Sequence, residues 1–239
     1  MSHRVFNPDE VAEYLHLSRA AIEQLVQRKE IPFSRQGQRL VFRQREIDAW
    51  ASHRILGFSE KELSAYHKTS SARAHDLSAK HALLPELIRA SHIDPALKAK
   101  TKNSVIRTMV KLAEQTDLLN APEELLGGIL QREQMCSTAL TGGIALLHTK
   151  NHEPYMAEDC FIALGRTLQP IPFGSPDGRT TDIFFLLCAQ DDRTHLHILA
   201  RLCMMCHQTD LLLNLRECID AHGMLQALYA AEAEIIARL

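Results

Sequence analysis

Three short runs of apolar residues constrain the fold of this 239-residue chain more than any other feature. They cover residues 144–147, 160–165 and 182–188, the last reading Asp-Ile-Phe-Phe-Leu-Leu-Cys. Each run is four to seven residues long and bounded by polar residues or glycine, which is typical of buried strands. Because helical patterns precede and follow them, the sequence predicts an α/β (α+β) fold in which helices flank a mixed sheet.

The helices are predicted from apolar residues that recur every three or four positions. Residues 103–115 place Val105, Ile106, Met109, Val110 and Leu112 on one face. A second helix over residues 121–131 begins after a cap-like Asn120 and leads into Arg132 and Glu133. A long helix is expected to begin near His195, with further helices over residues 211–218 and 224–237.

The length exceeds that of one typical domain, so we expect two unequal domains joined by a linker. The predicted boundaries are 1–54, a partly helical linker over 55–82, and 83–239. Lys and Arg outnumber Asp and Glu by nine to seven in residues 1–54, whereas the remainder holds 18 against 22. With a polar start and no apolar run of about 18 residues, we expect a cytoplasmic protein without membrane contact.

The N-terminal 50 residues carry the pattern of two short helices around a tight turn, followed by a hairpin. Asn7 and Ser18 are suitable N-caps for the two helices, and Pro8 suits the first helical position. Residues 33–42 alternate in character about Gly37, which predicts a small β-hairpin, and residues 45–50 resume a helix.

These features resemble the winged helix-turn-helix of phage excisionases and MerR-type regulators. The similarity rests on the helix that starts at Asp9, on Leu17-Ser18-Arg19, on Ile31-Pro32 and on residues 43–50. It implies that the second helix enters the DNA major groove and that the hairpin lies along the backbone or the minor groove. The residues that would contact DNA are Ser18, Arg19, Gln24, Arg28, Arg35, Gln38, Arg39 and Arg43. A domain of this shape can also serve purely as a docking module, and that alternative stays open.

The predicted linker contains three histidines, His67, His75 and His81, at spacings that match no metal-binding helix pattern. We expect them on the solvated surface. A second motif, Cys203-Met-Met-Cys206-His207, spells a c-type haem attachment pattern and a redox or zinc dithiol spacing. It lies in an apolar helical run with no second cysteine pair, so we expect buried thiols on a helix face and no metal or cofactor.

The stretch from Arg132 to His148 holds the residue types that handle phosphoryl groups. An imidazole accepts a phosphoryl group at one ring nitrogen, and an arginine offers a planar fork of donors to the oxyanions. Ser137, Thr138 and the backbone N–H groups of a glycine-rich loop supply further donors.

The order of these residues resembles the phosphohistidine motif of the EIIA domains of the phosphotransferase system, in the mannitol, fructose and nitrogen-regulatory branch. The resemblance runs from about Leu83 to the end of the chain. It implies that His148 is the phosphorylated residue. Four positions depart from the usual motif: Cys136, Ala139 and Thr141 replace glycine, and Leu147 replaces proline.

A second segment, residues 194–199, resembles the other active-site signature of the family, in which His195 lies beside the phosphorylated histidine. The resemblance implies that an HPr-type or NPr-type carrier donates the phosphoryl group, and that Arg132, Ser137 or Thr138 and loop N–H groups hold its oxygens. His195 would bind an oxygen or set the His148 tautomer. His197 is expected on the helix surface.

The fusion of the two domains predicts a regulator in which phosphorylation of His148 controls DNA binding. The alternative from another functional class is a phosphocarrier or regulatory protein that binds a protein partner and no DNA. In that case the N-terminal domain is a docking arm.

Overall fold

The computed structural model describes residues 5–15, 17–37, 39–59, 62, 63, 66 and 81–238. The described residues form an N-terminal helix-turn-helix unit with a three-stranded sheet and a second unit built on a five-stranded sheet. One hydrophobic cluster includes residues of both units. None of the described helices is long and apolar enough to cross a membrane.

The helix-turn-helix unit forms where its caps and apolar spacing predict it. Asn7 accepts hydrogen bonds from two backbone N–H groups of the first helix and completes a capping box with Glu10, while Ser18 caps the second helix. The central strand of its sheet pairs antiparallel with both neighbours. The elements are β1 (Val5–Phe6), α1 (Pro8–Tyr14), α2 (Arg19–Gln27), β2 (Ser34–Gln36), β3 (Arg39–Arg43) and α3 (Gln44–Leu56).

Most of the predicted linker, including His67 and His75, lies outside the described residues. Helix α3 continues two residues beyond the predicted end of the first domain. Leu63 is fully buried and belongs to the cluster that includes both units. His81 is exposed, as predicted, with its Nε2 2.9 Å from Glu86 Oε1.

The second unit contains a five-stranded mixed sheet in the order β4-β7-β8-β6-β5. Strand β4 is parallel to β7, β6 is parallel to β8, and the β7–β8 and β5–β6 pairs are antiparallel. Two single-turn 3₁₀ helices, Ala90–His92 and Pro154–Met156, accompany the main elements. The elements are α4 (Leu84–Leu87), β4 (Ile93–Leu97), α5 (Lys102–Glu114), α6 (Pro122–Met135), β5 (Ala139–Leu140), β6 (Ile144–Leu147), β7 (Phe161–Ile171), β8 (Thr181–Cys188), α7 (Asp192–Gln208), α8 (Leu211–Glu217) and α9 (Ala221–Arg238).

Helices cover both faces of this sheet, and this explains its continuous apolar runs. Along β7, Ile162 and Leu164 belong to the cluster that contains α7, α8 and α9. Phe161 and Ala163, on the opposite face, belong to the cluster that contains α5 and α6. Residues 161–165 of β7, 183–188 of β8 and all of β6 are therefore buried on one face or the other.

Some boundaries differ from the sequence predictions. Strand β7 continues beyond the predicted run 160–165, through Pro170 to Ile171, because its pairing with β8 shifts register there and a proline without an N–H is tolerated. Helix α6 extends to Met135, so Arg132 lies within the helix and not in the loop. Asn120 does not cap that helix; its backbone N–H donates to the Met156 carbonyl.

Candidate functional site

The sheet topology brings His148 to the start of α7. His148 directly follows β6, and α7 begins four residues after β8. Since β6 and β8 are parallel neighbours, their carboxyl ends meet at one edge of the sheet. The last turn of α6 adds Arg132 from the other side. The structure therefore brings together His148, Arg132 and His195, which were predicted from two separate segments.

Both ring nitrogens of His148 have a defined partner. Nδ1 lies 2.8 Å from the Leu146 carbonyl oxygen, which only accepts, so Nδ1 carries the proton. Nε2 accepts a hydrogen bond from Arg132 Nε at 3.1 Å and therefore holds the lone pair. Burial, together with the Arg132 charge, lowers the pKa of His148 to about 3. At neutral pH the ring is uncharged, with a nucleophilic nitrogen next to a guanidinium.

Two further histidines stack beside this ring. The ring centre of His195 lies 4.9 Å from that of His148, and His152 stacks on His195 at 4.0 Å with planes 27° apart. Burial and the neighbouring His152 and His148 lower the pKa of His195 well below its ordinary value. His152 was not predicted as a site residue. Its position four residues after His148, in a polar segment, was the available signal.

Asp192 orients the outer histidine of this stack. Its Oδ1 lies 2.7 Å from His152 Nδ1, and its Oδ2 accepts from Gln44 Nε2 at 3.0 Å. Burial has the largest influence on the Asp192 carboxylate and opposes its ionisation. The hydrogen bonds from His152, Asp48 and Gln44 nevertheless hold the pKa of Asp192 below its ordinary value. Asp192 was also missed, because only the fold places it beside the histidines.

Three buried nitrogens of this cluster have no hydrogen-bond partner among the described residues. They are Arg132 Nη2, His195 Nε2 and His152 Nε2. Buried polar atoms normally have partners, so unpaired ones concentrated in one cluster indicate a site for a polar group. A guanidinium and imidazoles suit a group with several oxygens.

The loop after α6 is held by a buried carboxylate. Glu133 accepts hydrogen bonds from the Thr138 backbone N–H and hydroxyl, and it pairs with Lys102 Nζ at 2.6 Å. Ser137 Oγ donates to the Phe173 carbonyl. In this structure the hydroxyls of Ser137 and Thr138 therefore hold the loop. The roles of Glu133 and Lys102 were not predicted.

The four departures from the expected motif fit the local structure. Arg132 Nη1 donates to the carbonyl oxygen and the Sγ of Cys136, so that residue helps to orient the guanidinium. Leu147 is fully buried in β6 and pairs with Leu186 of β8. Ala139 lies in β5, and Thr141 is exposed in the turn that follows.

The prediction that His197 lies on the helix surface is wrong. Its side chain is buried, because α7 packs against the sheet on one side and against α3 and α9 on others. Cys203 and Cys206 are also buried in this helix, as the helical pattern predicted.

The predicted DNA-contacting residues are exposed wherever the structure describes them. Gln38 lies outside the described residues. Arg19 forms ion pairs with Asp9 and Glu23, and Arg43 pairs with Glu46 at 3.3 Å. The exposed residues are Ser18, Arg19, Gln24, Arg28, Arg35, Arg39 and Arg43.

The hairpin arginines do not share one face. In the β2–β3 pairing, Arg35 lies opposite Leu40, whereas Arg39 lies opposite Gln36. Because neighbouring residues of a strand point to opposite faces, Arg35 and Arg39 project from different faces, and Arg39 shares its face with Arg43.

Comparison with known sequences places both units in described families. The sequence profile of the family "Phosphoenolpyruvate-dependent sugar phosphotransferase system, EIIA 2" matches residues 86–231, and that of "Helix-turn-helix domain" matches residues 5–55. The nitrogen regulatory protein of Bradyrhizobium diazoefficiens is 31% identical over 153 residues, which cover 63% of this chain and 94% of that protein.

Solved structures show the same fold in the second unit. Nitrogen regulatory protein IIA-Ntr from Neisseria meningitidis superposes with a TM-score of 0.56 and 23% identity, over 62% of this chain and 99% of the other. The mannitol enzyme IIA of Escherichia coli, solved in a complex with phosphorylated enzyme IIB, gives a TM-score of 0.53 and 17% identity. That match covers 60% of this chain and 97% of the other.

Proposed function

Since the chain belongs to the EIIA 2 family of the phosphoenolpyruvate-dependent sugar phosphotransferase system, we propose that it is a regulator phosphorylated on His148 by an HPr-type or NPr-type carrier. The phosphoryl group in turn controls what the helix-turn-helix unit binds. The observation that carries this proposal is the state of His148. The ring is neutral, its Nδ1 proton is held by a carbonyl, and its Nε2 lone pair faces Arg132.

The transfer is an in-line displacement between two imidazoles. The lone pair of His148 Nε2 forms a bond to phosphorus as the phosphorus–nitrogen bond of the carrier's phosphohistidine breaks, and that electron pair returns to the carrier's ring. The proton on His148 Nδ1 stays on that nitrogen throughout, donated in a hydrogen bond to the Leu146 carbonyl. No proton has to leave the acceptor before attack, because its nucleophilic nitrogen already holds a lone pair.

Arg132 and His195 stabilise the transferred group in this proposal. Arg132 Nε turns from His148 Nε2 to one phosphoryl oxygen, the unpaired Arg132 Nη2 binds a second, and His195 Nε2 meets a third. Ser137 and Thr138 contribute by shaping the loop and its N–H groups, because their hydroxyls already donate to Phe173 and Glu133.

DNA is the proposed target of the helix-turn-helix unit. The support is the family match over residues 5–55 and the exposure of Gln24 on α2 and of Arg28, Arg35 and Arg39. These three arginines have no ion-pair partner among the described residues. They would contact phosphates and position the duplex.

Phosphorylation is tested by incubating the protein with a phosphorylated HPr-type carrier and mapping the phosphohistidine by mass spectrometry. We expect one label, on His148, and its loss in H148Q. The control H222Q removes an exposed histidine of α9 and should be labelled like the wild type. Label on another histidine in H148Q would show that the acceptor is misassigned.

DNA binding is tested by measuring affinity for random and upstream DNA over a range of salt concentrations. Each of R28A and R39A should weaken binding to all sequences and reduce the salt slope by about one. R107A removes an exposed arginine of α5 and should leave both quantities unchanged. Absence of binding at low salt would refute the DNA half of the proposal.

A protein partner in place of DNA is the second candidate. It is favoured by the charge pattern, since Arg19 is already paired with two carboxylates and Arg35 and Arg39 project from different faces. The regulator then acts through a regulatory protein bound to its N-terminal unit. Affinity purification with phosphorylated and unphosphorylated protein, together with the DNA measurement, distinguishes the two candidates.

A further inference from the structure

Helix α3 of the helix-turn-helix unit packs against the same end of α7 that carries the candidate site. Gln44, in its first turn, donates to Asp192 at 3.0 Å. Asp48, one turn later, is 5% exposed and is hydrogen-bonded to the same Asp192 carboxylate. Further along, buried Ala51 and Ile55 belong to the hydrophobic cluster that includes residues of α7.

The carboxylate held by α3 is the one that orients His152. Contacts therefore run without interruption from α3 to Asp192, from Asp192 to His152, and through the ring of His195 to that of His148. At the rim, Arg45 of α3 lies 3.9 Å from Glu153, which follows His152. Two residues of the segment 149–153 are thus linked to α3: His152 through Asp192, and Glu153 directly through Arg45.

This arrangement conflicts with access by a protein donor. Phosphoryl transfer requires the phosphorus of the donor to come within about 3–3.5 Å of His148 Nε2. The exposed fraction of His148 is 0%, and those of Arg132 and His195 are 2% and 1%. The packing around the ring must therefore open before a carrier reaches it, and the contacts from His195 through His152 and Asp192 to α3 are part of that packing.

We infer that the surface around His148 is a shared docking surface, occupied here by α3 of the chain's own helix-turn-helix unit, and that α3 and the phosphoryl donor exclude each other. His152 and Asp192 are the positioning residues that connect the site to α3. The identity of the donor rests on the proposed function; the occupation of the surface by α3 does not.

The contact between α3 and the second unit has the properties of an interface that can separate. A cleft of about 730 Å³ separates the start of α3 from residues 150–153, and its lining is charged and polar. Two carboxyl groups, Asp48 and Asp192, meet across the interface, and ionisation of both disfavours their contact. Interfaces of this mixed polar kind are typical of units that separate and reassociate.

Because α3 and the phosphoryl donor exclude each other, release of α3 and phosphorylation of His148 are coupled reciprocally. If release of α3 favours phosphorylation of His148, then phosphorylation favours release of α3 by the same factor. The phosphoryl group brings about two negative charges to a site that already contains the Asp192 carboxylate, so it repels the residue to which Gln44 of α3 is bound. The helix-turn-helix unit is therefore free of the second unit in the phosphorylated protein and bound to it otherwise.

Carbethoxylation by diethyl pyrocarbonate tests the occupied surface without any carrier, because the reagent attacks accessible neutral imidazoles. Mass mapping should show His148 reacting far more slowly than exposed His222 in the full-length protein. Q44E places a further carboxylate beside Asp192 and should raise the rate at His148 about tenfold, as loss of one charge-assisted hydrogen bond predicts. Q27E makes the same change on exposed α2 and should leave the rate unchanged.

A second variant keeps the test decisive if Q44E leaves α3 in place. The double substitution Q44E and A51E adds a charge at a buried position of α3, so this helix cannot stay packed on α7. Unchanged reactivity of His148 in both variants, or a wild-type rate equal to that of His222, would overturn the inference. The same variants are then labelled with phosphorylated carrier.

We expect faster labelling of each released variant and wild-type labelling of Q27E. Released variants that are labelled no faster than wild type would show that α3 and the donor do not compete. Released variants that react with the reagent but accept no phosphoryl group would refute the proposed function and leave α3 as the occupant of the surface.

Discussion

At the scale of single residues, the environment of His148 determines its chemistry. A histidine in water has a pKa near 6.5 and is partly protonated at neutral pH. Burial and the adjacent Arg132 lower the pKa of this one to about 3. Its nucleophilic nitrogen is thus unprotonated over the whole physiological range, and Leu146 selects which nitrogen that is.

The lowered pKa of His148 has a consequence for acid stability. Below pH 6.5 the unfolded chain binds a proton at this residue and the folded chain does not, so folding stability is lost as the pH falls. Between pH 7 and 5 this one residue should cost about 2 kcal/mol. H148Q should remove that part of the pH dependence. Urea unfolding at the two pH values checks it, and an equal loss of stability in H148Q would contradict the assignment.

Glu133 should support the site through the loop. E133Q removes the charge that pairs with Lys102 and weakens the hydrogen bonds from Thr138. The expected cost is about 1–3 kcal/mol, with slower labelling of His148, because the half-buried Lys102 ammonium loses its carboxylate partner and the loop loosens. E123Q, at an exposed position of the same helix, is the control and should change neither the free energy of unfolding nor the labelling rate.

At the scale of elements, the turn between β5 and β6 begins the strand that ends next to His148. Gly142 and Gly143 both have positive φ angles there, +92° and +83°. A Cβ on Gly143 would lie 2.7 Å from Arg216 Nη2 and 2.9 Å from Asp182 Oδ1, two atoms that pair with each other. The glycine is required both for its backbone conformation and for this close approach.

Two glycine substitutions should therefore change the free energy of unfolding in opposite directions. G143A should destabilise the protein by about 1–3 kcal/mol and disturb β6. G127A, in the interior of α6 where a Cβ meets no atom within 4 Å, should stabilise it by about 0.5–1 kcal/mol. Thermal unfolding of the two variants measures the difference, and the same sign for both would show that the turn is not strained.

At the scale of the whole molecule, one protonated carboxyl group lies between the two units. Burial, and next the charge of Asp192, raise the pKa of Asp48 to about 8. Two titratable neighbours face it: Asp192 of α7, which in turn holds His152, and Tyr14 of α1, whose hydroxyl donates to Asp48 at 2.7 Å. At neutral pH the shared proton lets Asp48 donate to Asp192.

The contact between the units should weaken in alkali. The folded-state pKa of Asp48 is raised, so its contribution is fully present below the unfolded value near 4 and is lost as the pH rises through about 8. From pH 6 to 8 the loss is on the order of 2 kcal/mol. D48N supplies an amide donor toward Asp192 at every pH and should abolish this loss.

Amide hydrogen exchange in α3 and in the first turns of α7, measured from pH 6 to 9 and corrected for intrinsic rates, checks the prediction. Exchange in wild type should accelerate with pH relative to D48N, whereas exchange in α5 should be the same in both proteins. Equal behaviour of α3 in the two proteins would mean that Asp48 does not hold the units together.

The sequence by itself determined the features that depend on neighbours along the chain. Apolar runs of strand length and a three-to-four-residue helical period located β6, β7, β8 and most helices, and capping residues located α1 and α2. The resemblance of two segments identified His148, Arg132 and His195. Local signals failed where a residue was untypical of its element, as with Pro95 and Asp94 in β4 or Pro170 in β7.

Only the tertiary structure decided what surrounds His148. His152 and Asp192 are 40 residues apart and meet because β6 and β8 are parallel neighbours, which no local pattern encodes. The burial of His148 and of His197 likewise follows from packing: Arg132 and His195 lie against the first, and the second lies in α7, on which α3 and α9 pack. Periodicity predicts that a face is buried but not which element covers it. The sequence therefore predicted His148 as the phosphoryl acceptor, and only the fold brought α3 of the chain's own helix-turn-helix unit to Asp192, the residue bound to His152.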